Sequence, residues 1–186
     1  MIKRVLGGAL AVAIVAGLIL HYTPGNVLHA WLGWSPGAAA YQPSCTGPVQ
    51  QVIDGDTVWM RCNGKRVKVR LDYIDAPEVA HPYWHKPGQP GGTQARSALI
   101  SLIAGHFVTL TSTGEDDYGR TLGVLRVNSR NLNLAMVRQG WAWAYRGFTN
   151  ETYTEAQQSA RAARRGLWAF PPGRREPPWR FRHRHD

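Results

Sequence analysis

The segment 49–73 constrains the fold most, because three short strand patterns follow one another there with only tight turns between them. Residues 49–53 and 57–62 have the pattern of two hairpin arms around the turn-forming pair Asp54-Gly55. In residues 67–73 apolar and polar side chains alternate, as they do in a strand with one buried face. The folded part of the chain is therefore predicted to begin with β-structure.

Further strand and helix patterns follow this segment. Residues 107–111 and 122–127 predict two more strands. Helices are predicted over residues 93–104, over residues 131–139, and from Thr152 or Thr154 to Arg165. The pattern by itself indicates a mixed α+β domain with five short strands and three helices.

The charge of the chain is strongly basic, with 22 Lys and Arg against 12 Asp and Glu and a formal net charge of +10. Such a surface attracts polyanions, and nucleic acid is the leading candidate. A basic composition is equally compatible with solubility or with adhesion to an anionic cell wall, so motifs must decide. The length of 186 residues suits one domain with extensions and is short for two.

The N-terminal residues 1–20 have the pattern of an export signal. Lys3 and Arg4 precede an uncharged apolar run, residues 5–20. A helix over that run would cover about 24 Å, short of the roughly 30 Å hydrocarbon core of a bilayer but long for a signal peptide. The segment is thus predicted to be either a cleaved signal peptide or an N-terminal membrane anchor. Residues 21–44, rich in Pro, Gly and Ala without periodicity, predict a linker.

This signal predicts the compartment and the state of the cysteines. The positive flank directs the rest of the chain across the membrane, so we expect a periplasmic or extracellular protein. Cys45 and Cys62 flank the Asp54-Gly55 turn and would lie within about two positions of facing each other in a hairpin, which a bulge absorbs. Because an exported protein meets an oxidising environment, we predict a disulfide between them.

Three segments combine carboxylates and arginines at predicted turns and strand ends. They are Asp54-Gly55-Asp56-Thr57, residues 70–78 (RLDYIDAPE), and Asp116-Asp117-Tyr118-Gly119-Arg120. Taken together and in this order, they resemble the active-site segments of the staphylococcal-nuclease (thermonuclease-like) family. The resemblance covers residues 45–170 and implies an α+β fold, a five-stranded Greek-key OB-fold β-barrel with about three packed α-helices.

The resemblance implies a calcium site. Asp56, Asp75 and the backbone carbonyl of Ala76 would be the protein ligands, with Asp54 near the metal. Oxygen donors suit this choice, because Ca²⁺ takes six to eight oxygen ligands that include carbonyls and waters. The proline after Ala76 holds that residue in an extended conformation and leaves its carbonyl free of helical pairing.

The resemblance also implies catalytic and substrate-binding residues. Arg70 and Arg120 would grip the scissile phosphate, since a guanidinium is permanently charged and binds two phosphate oxygens at once. Glu78 would be the general base for the attacking water, or would order water around the metal. Tyr118 would contact a terminal phosphate, and Tyr145 would stack on a base in a sequence-tolerant way.

The last residues, 171–186, form a basic tail that combines arginine with proline. Little in this segment is suited to burial, so it is predicted to be disordered and to add only phosphate contacts. Its arginines are Arg174, Arg175, Arg180, Arg182 and Arg184.

The function that the resemblance implies is an exported, calcium-dependent, sequence-non-specific endonuclease acting on DNA and RNA. The main alternative is a catalytically weak nucleic-acid-binding OB-fold module tethered at the membrane, although such modules usually lose the carboxylates or arginines that are present here. A third possibility is a membrane-tethered protein whose basic surface binds cell-wall or lipid anions. We expect a monomer.

Overall fold

The computed structural model describes residues 44–147 and 150–185. The strands are β1 (Ser44–Val52), β2 (Thr57–Cys62), β3 (Lys65–Leu71), β4 (Ile74–Asp75), β5 (Phe107–Glu115), β6 (Thr121–Val127), β7 (Arg130–Asn131) and β8 (Trp143–Ala144). The α-helices are α1 (Gly92–Ile103), α2 (Leu132–Arg138), α3 (Glu151–Ala162) and α4 (Pro178–His185). Short 3₁₀ helices span Pro82–Trp84, Gly166–Ala169 and Pro172–Arg174. The predicted export signal and all but the last residue of the predicted linker lie outside the described residues.

Five strands close into a barrel in the order β3-β2-β1-β5-β6. Neighbouring strands are antiparallel, and a short parallel pairing of β3 with β6, from Val69 opposite Thr121 to Leu71 opposite Gly123, completes the closure. Bulges in β1 and β5 help the strands to curve. The predicted α+β fold with a five-stranded OB-type barrel is confirmed, with four α-helices among the described residues instead of about three.

The core lies inside the barrel and between the barrel and its helices. Alternate residues of the strands point inward and are almost fully buried, which is the period-two pattern that predicted them. These side chains are Val58, Met60, Val69, Leu71, Val108 and Leu125. Helix α1 adds Leu99 to this core, and α2 adds Leu132 and Met136. Burying one such side chain stabilises the fold by about 1.5–3 kcal/mol.

One buried amide fixes the place where the barrel closes. The side-chain nitrogen of Asn133 donates to the carbonyl oxygens of Asp72 (2.9 Å) and Gly123 (3.0 Å), and its side-chain oxygen accepts from the backbone nitrogen of Leu125 (3.1 Å). A fully satisfied buried amide of this kind rigidifies its surroundings. Asn133 therefore ties helix α2 to the end of β3, where the acidic segment begins.

The predicted disulfide is confirmed. Cys45 and Cys62 are bonded, with their Cα atoms 5.6 Å apart and a sequence separation of 17 residues. The bond joins β1 to the end of β2, on the far side of the β1 bulge between Val49 and Gln51.

We expect the double variant Cys45→Ser/Cys62→Ser to lose about 3 kcal/mol of unfolding free energy in urea, because closing a loop of this size restricts the unfolded chain. Thiol titration of the exported wild-type protein in denaturant without reductant should find no free thiol. Two titratable thiols, or a double variant as stable as the wild type, would contradict the disulfide's role.

The C-terminal tail is ordered, which corrects the prediction that residues 171–186 are disordered. Helix α4 begins at Pro178, a residue suited to a first helical position, and buries Phe181. The Trp179 ring packs edge-on against Trp143, with 5.6 Å between ring centroids. The prediction of disorder rests on the arginines and prolines of the tail and gives too little weight to Trp179 and Phe181. Residues 171–185 therefore pack against the domain that the sequence analysis ends at Phe170.

Among the described residues, none of the helices combines the length and apolar character that crossing a bilayer requires.

Candidate active site

A cleft of about 630 Å³ opens beside the ends of β2 and β3. The turn between β5 and β6 forms another part of its wall. Most of the predicted site residues line it: Asp54, Asp56, Arg70, Glu78, Tyr118, Arg120 and Tyr145. The other two, Asp75 and Ala76, are buried and contact residues that line the cleft. The fold thus brings all three acidic and basic segments to one place.

The turn before β2 positions Asp56. One carboxylate oxygen of Asp54 accepts a hydrogen bond from the backbone nitrogen of Asp56 at 2.8 Å, which holds the turn closed. A Cβ atom added to Gly55 would lie 2.7 Å from the Cβ of Ala76 and 2.8 Å from that of Ala95, so only glycine fits there. Thr57 donates its hydroxyl to Asp56 at 3.0 Å. Asp56 is consequently buried and held in one orientation.

The predicted metal ligands are linked to one another. Asp75 lies on β4, which pairs with β8, and its side chain is completely buried. The backbone nitrogen of Ala76 donates to Asp56 Oδ2 at 2.6 Å. The Asp56 carboxylate, Asp75 and the Ala76 peptide therefore form one continuous group beneath the cleft.

Arg70 bridges the two aspartates. Its Nη1 lies 2.7 Å from Asp56 Oδ2 and its Nη2 lies 2.8 Å from Asp75 Oδ1. Burial works against the charge on Arg70, but Asp56 and Asp75 outweigh it and raise its pKa above the ordinary value. The guanidinium is thus charged at every relevant pH and fixed by both partners before any substrate arrives.

Glu78 is fixed through its backbone. Its carbonyl oxygen accepts from the backbone nitrogen of Gln89 at 2.8 Å, and its backbone nitrogen donates to Gln89 Oε1 at 3.2 Å. A Cβ atom on Gly92, the first residue of α1, would lie 2.1 Å from the Glu78 carbonyl oxygen. This close approach of α1 places the Glu78 side chain at the cleft. Burial raises the pKa of its carboxyl group, although Arg182 opposes the shift.

Arg182 is the site residue that the sequence analysis missed. From helix α4, its Nη2 lies 2.8 Å from Asp75 Oδ2 and its Nη1 lies 2.7 Å from Glu78 Oε1. Burial disfavours its charge, but the bonds to Asp75 and Glu78 dominate and raise its pKa. The sequence indicates this role only through Trp179 and Phe181, two large aromatic residues near Arg182 that allow the segment to pack against the domain.

Arg120 lies on the turn between β5 and β6, which the nearby Asp116 stabilises. Asp116 accepts hydrogen bonds from the backbone nitrogens of Tyr118 (3.0 Å) and Arg120 (2.9 Å), and its second oxygen accepts from Arg120 Nε at 2.7 Å. Slight burial would raise the pKa of Asp116, but these hydrogen bonds and the Arg120 charge lower it. Arg120 therefore pairs with Asp116 and lines the cleft without contacting Asp56 or Asp75.

The two predicted substrate tyrosines lie on the walls of the cleft. Tyr118 is 85% exposed, and its ring lies 5.5 Å from the guanidinium carbon of Arg120. Tyr145 is 43% exposed, and its backbone nitrogen donates to the carbonyl oxygen of Tyr73 at 2.8 Å. Both rings present faces that a base or sugar can contact. Their contact with a nucleotide stays a prediction.

The charges beneath the cleft favour a divalent cation. Four carboxylates, Asp54, Asp56, Asp75 and Glu78, surround two guanidiniums, Arg70 and Arg182. Burial raises the pKa of Asp54 well above its usual value, with Asp56 adding to the shift, and burial likewise raises the pKa of Asp75. An added cation would lower the electrostatic cost of keeping these buried groups ionised.

The donor set suits calcium in its chemistry. Within the described ranges, no three His, Cys, Asp or Glu side chains are grouped closely enough to hold a metal ion. A calcium ion here would use Asp56, Asp75 and the carbonyl of Ala76, and would complete its shell with waters or substrate oxygens. Such a site fits the ion's preference for hard oxygen ligands.

Comparison with known proteins agrees with this geometry. Residues 68–170, more than half of the chain, match the family described as staphylococcal nuclease homologue. The chain is 36% identical over 148 residues to a micrococcal nuclease of Shigella flexneri, covering 73% of this chain and 79% of that protein. It is 39% identical over 140 residues to an uncharacterized endonuclease of Escherichia coli O157:H7, covering 74% and 85%.

The fold and the site define a hydrolase of the nuclease class. The chain belongs to the staphylococcal nuclease family.

Proposed function

We propose that the chain is an exported, calcium-dependent endonuclease that hydrolyses phosphodiester bonds of DNA and RNA without sequence specificity. The observation that carries the proposal is the position of Arg70. It is held between Asp56 and Asp75 at the floor of an open cleft that Arg120 also lines. A fixed guanidinium beside two metal-binding carboxylates is suited to a phosphate that gains charge during hydrolysis.

Each residue has a defined task in this reaction. Asp56, Asp75 and the Ala76 carbonyl would hold the calcium ion, which when bound adds positive charge close to the phosphate oxygens. Arg70 binds the phosphate from the floor of the cleft. Arg120 binds it from the wall, and its place on an Asp116-stabilised turn limits the rearrangement needed.

Glu78 is the candidate general base. It accepts the proton of the attacking water. The raised pKa of its carboxyl group makes it a stronger base than an ordinary glutamate. Arg182 covers Oε1 of Glu78, so the water would bind through Oε2 or would displace Arg182 from Oε1. Tyr118 and Tyr145 would contact the nucleotides through their rings, which tolerates any base and suits non-specific cleavage.

Two observations support export. The N-terminal pattern of Lys3 and Arg4 before an apolar run is typical of an export signal. The bond between Cys45 and Cys62 suits an oxidising compartment.

We expect purified protein from residue 41 onward to degrade single-stranded DNA, double-stranded DNA and RNA when calcium is present. Excess chelator should abolish the activity, because the phosphate then lacks the charge of the metal. Gel assays of plasmid, heat-denatured plasmid and transcript RNA measure this, and re-addition of calcium is the control for irreversible damage. Undiminished cleavage in chelator would exclude the metal mechanism.

A catalytically weak nucleic-acid-binding module is the second candidate. The contacts of Arg182 with Asp75 and Glu78 favour it, since they occupy oxygens that catalysis would use. The same assays separate the two functions. Tight binding of labelled DNA without cleavage at any calcium concentration would establish the binding module.

A further inference from the structure

The outer side of the β2–β3 hairpin carries a feature that the catalytic site does not use. In the register of these strands, Trp59 lies opposite Lys68 and Arg61 lies opposite Arg66. Residues that face each other in an antiparallel pair point to the same side of the sheet. These four residues therefore share one face, called the Trp59 face below, while the intervening Val58 and other core residues point inward.

The charge of this hairpin has a single sign. Residues 57–71 contain no Asp or Glu. They contain five cationic residues, Arg61, Lys65, Arg66, Lys68 and Arg70. Of these five, Arg70 is paired with Asp56 and Asp75 at the cleft, so the charge of the exposed surface comes from the other four. A surface of uniform positive charge attracts a polyanion and repels a cationic partner.

An indole lies in the middle of this charge. The guanidinium carbon of Arg66 is 4.3 Å from the centre of the Trp59 ring, and Lys68 Nζ is 5.9 Å from it. Trp59 is only partly buried, although tryptophan is a residue that stabilises a core. Cation–π contacts explain how the ring is held. They do not explain the uniform charge around it.

The Trp59 face leads to the catalytic arginine. Arg66, Lys68 and Arg70 are alternate residues of β3, so each step along this row is about 6.6 Å. Lys68 and Arg70 both line the cleft, whereas Arg66 lies outside it. The row thus runs from the exposed hairpin to the site of hydrolysis, as a binding track for an extended phosphate backbone should.

We propose that the Trp59 face binds the single nucleic-acid strand that extends from the scissile phosphate. Lys68 and Arg66 contact successive phosphates, and one base replaces the Arg66 guanidinium over the Trp59 ring. A single strand is the occupant because its bases are free to stack on an aromatic ring, which those of a duplex are not. This inference rests on the proposed function and adds to it the location of the substrate strand.

The test is the binding of 5′-fluorescein-labelled dT12, measured by anisotropy in chelator so that the strand is not cut. We expect Trp59→Ala to weaken binding about tenfold, the effect of losing one stacked base, and Trp59→Phe to retain most of it. Arg66→Ala/Lys68→Ala should reduce the slope of log affinity against log salt by about 1.4, since each phosphate contact on a single strand contributes about 0.7.

The matched control is Arg130→Ala/Arg138→Ala, which removes two exposed cations from β7 and α2. It should leave the salt slope within error of wild type. Circular dichroism and thermal melting confirm that each variant is folded. The inference is overturned if the Trp59 variants bind dT12 as wild type does, or if the control pair lowers affinity and slope as much as the Arg66/Lys68 pair.

Cleavage assays distinguish a failure of this inference from a failure of the proposed function. With calcium, the Arg66/Lys68 variant should show a raised KM for dT12 and a smaller rise in KM for dT3, which has only two phosphates and is too short to reach Arg66. A wild-type protein that binds dT12 through Trp59 but cuts no substrate would refute the nuclease and support the binding face. An active enzyme whose Arg66/Lys68 variant has a wild-type KM for dT12 would refute the face alone.

Discussion

Replacing either proposed catalytic arginine, Arg70 or Arg120, by lysine is expected to lower kcat for DNA cleavage by about 10²–10³-fold, the usual effect of losing one donor that stabilises transition-state charge. Arg70 uses two separate nitrogens, one on Asp56 and one on Asp75. Lysine keeps the charge but offers a single compact ammonium group, so it cannot hold both carboxylates and still bind a phosphate. Arg120 lies on an exposed turn, so Arg120→Lys tests the chemistry with less risk to the fold.

Single-turnover cleavage of labelled DNA with saturating calcium measures this loss. Arg130→Lys, the same change at an exposed position on β7, is the control and should keep the wild-type rate. Thermal melting shows whether Arg70→Lys remains folded. A near-normal rate in a folded Arg70→Lys or Arg120→Lys variant would remove that arginine from the catalytic site.

Replacing Arg182 by alanine is expected to raise calcium affinity at least about tenfold. Its guanidinium lies on both oxygens of Asp75, a proposed calcium ligand, so it competes with the ion and repels it. Two unit charges 4 Å apart interact by about 4 kcal/mol at an effective dielectric constant of 20, and a tenfold change in affinity needs only about 1.4 kcal/mol. The same variant should be less stable without calcium by roughly 1.5–3 kcal/mol, because buried Asp75 loses charged hydrogen bonds.

Isothermal titration with calcium and urea unfolding in chelator measure the two effects. Arg184→Ala is the control on the same helix, since Arg184 pairs with Glu176 and not with the site carboxylates. Unchanged calcium affinity and unchanged stability in Arg182→Ala would show that the contact is not made in solution. A lower calcium affinity would mean that Arg182 supports the metal ligands and does not compete with the ion.

The structure also changes the expected effect of deleting the C-terminal tail. A disordered tail would add only salt-dependent affinity, and its removal would leave turnover unaffected. Because α4 buries Phe181 and places Arg182 on Asp75 and Glu78, deletion of residues 171–186 should lower stability and alter calcium binding as well.

Most of the site could be predicted from the sequence because its parts are close together along the chain. Asp54 and Asp56 flank a glycine in a tight turn, and Asp75 stands just before Ala76-Pro77. Turns and prolines fix local backbone geometry whatever the rest of the chain does. The conformations of these segments therefore follow from the nearby sequence. Only the way in which the segments come together in space was predicted from the resemblance.

The sequence by itself determined the five barrel strands, the first three α-helices and the identity of the local acidic and basic groups, since periodicity and turn chemistry act over a few residues. Only the tertiary structure decided the closure of β3 on β6 and the partners of Arg182, which is 107 residues from Asp75. The composition of the tail indicates disorder. Its helix is ordered because Trp143 offers a surface on which Trp179 packs, and such a surface exists only once the domain has folded.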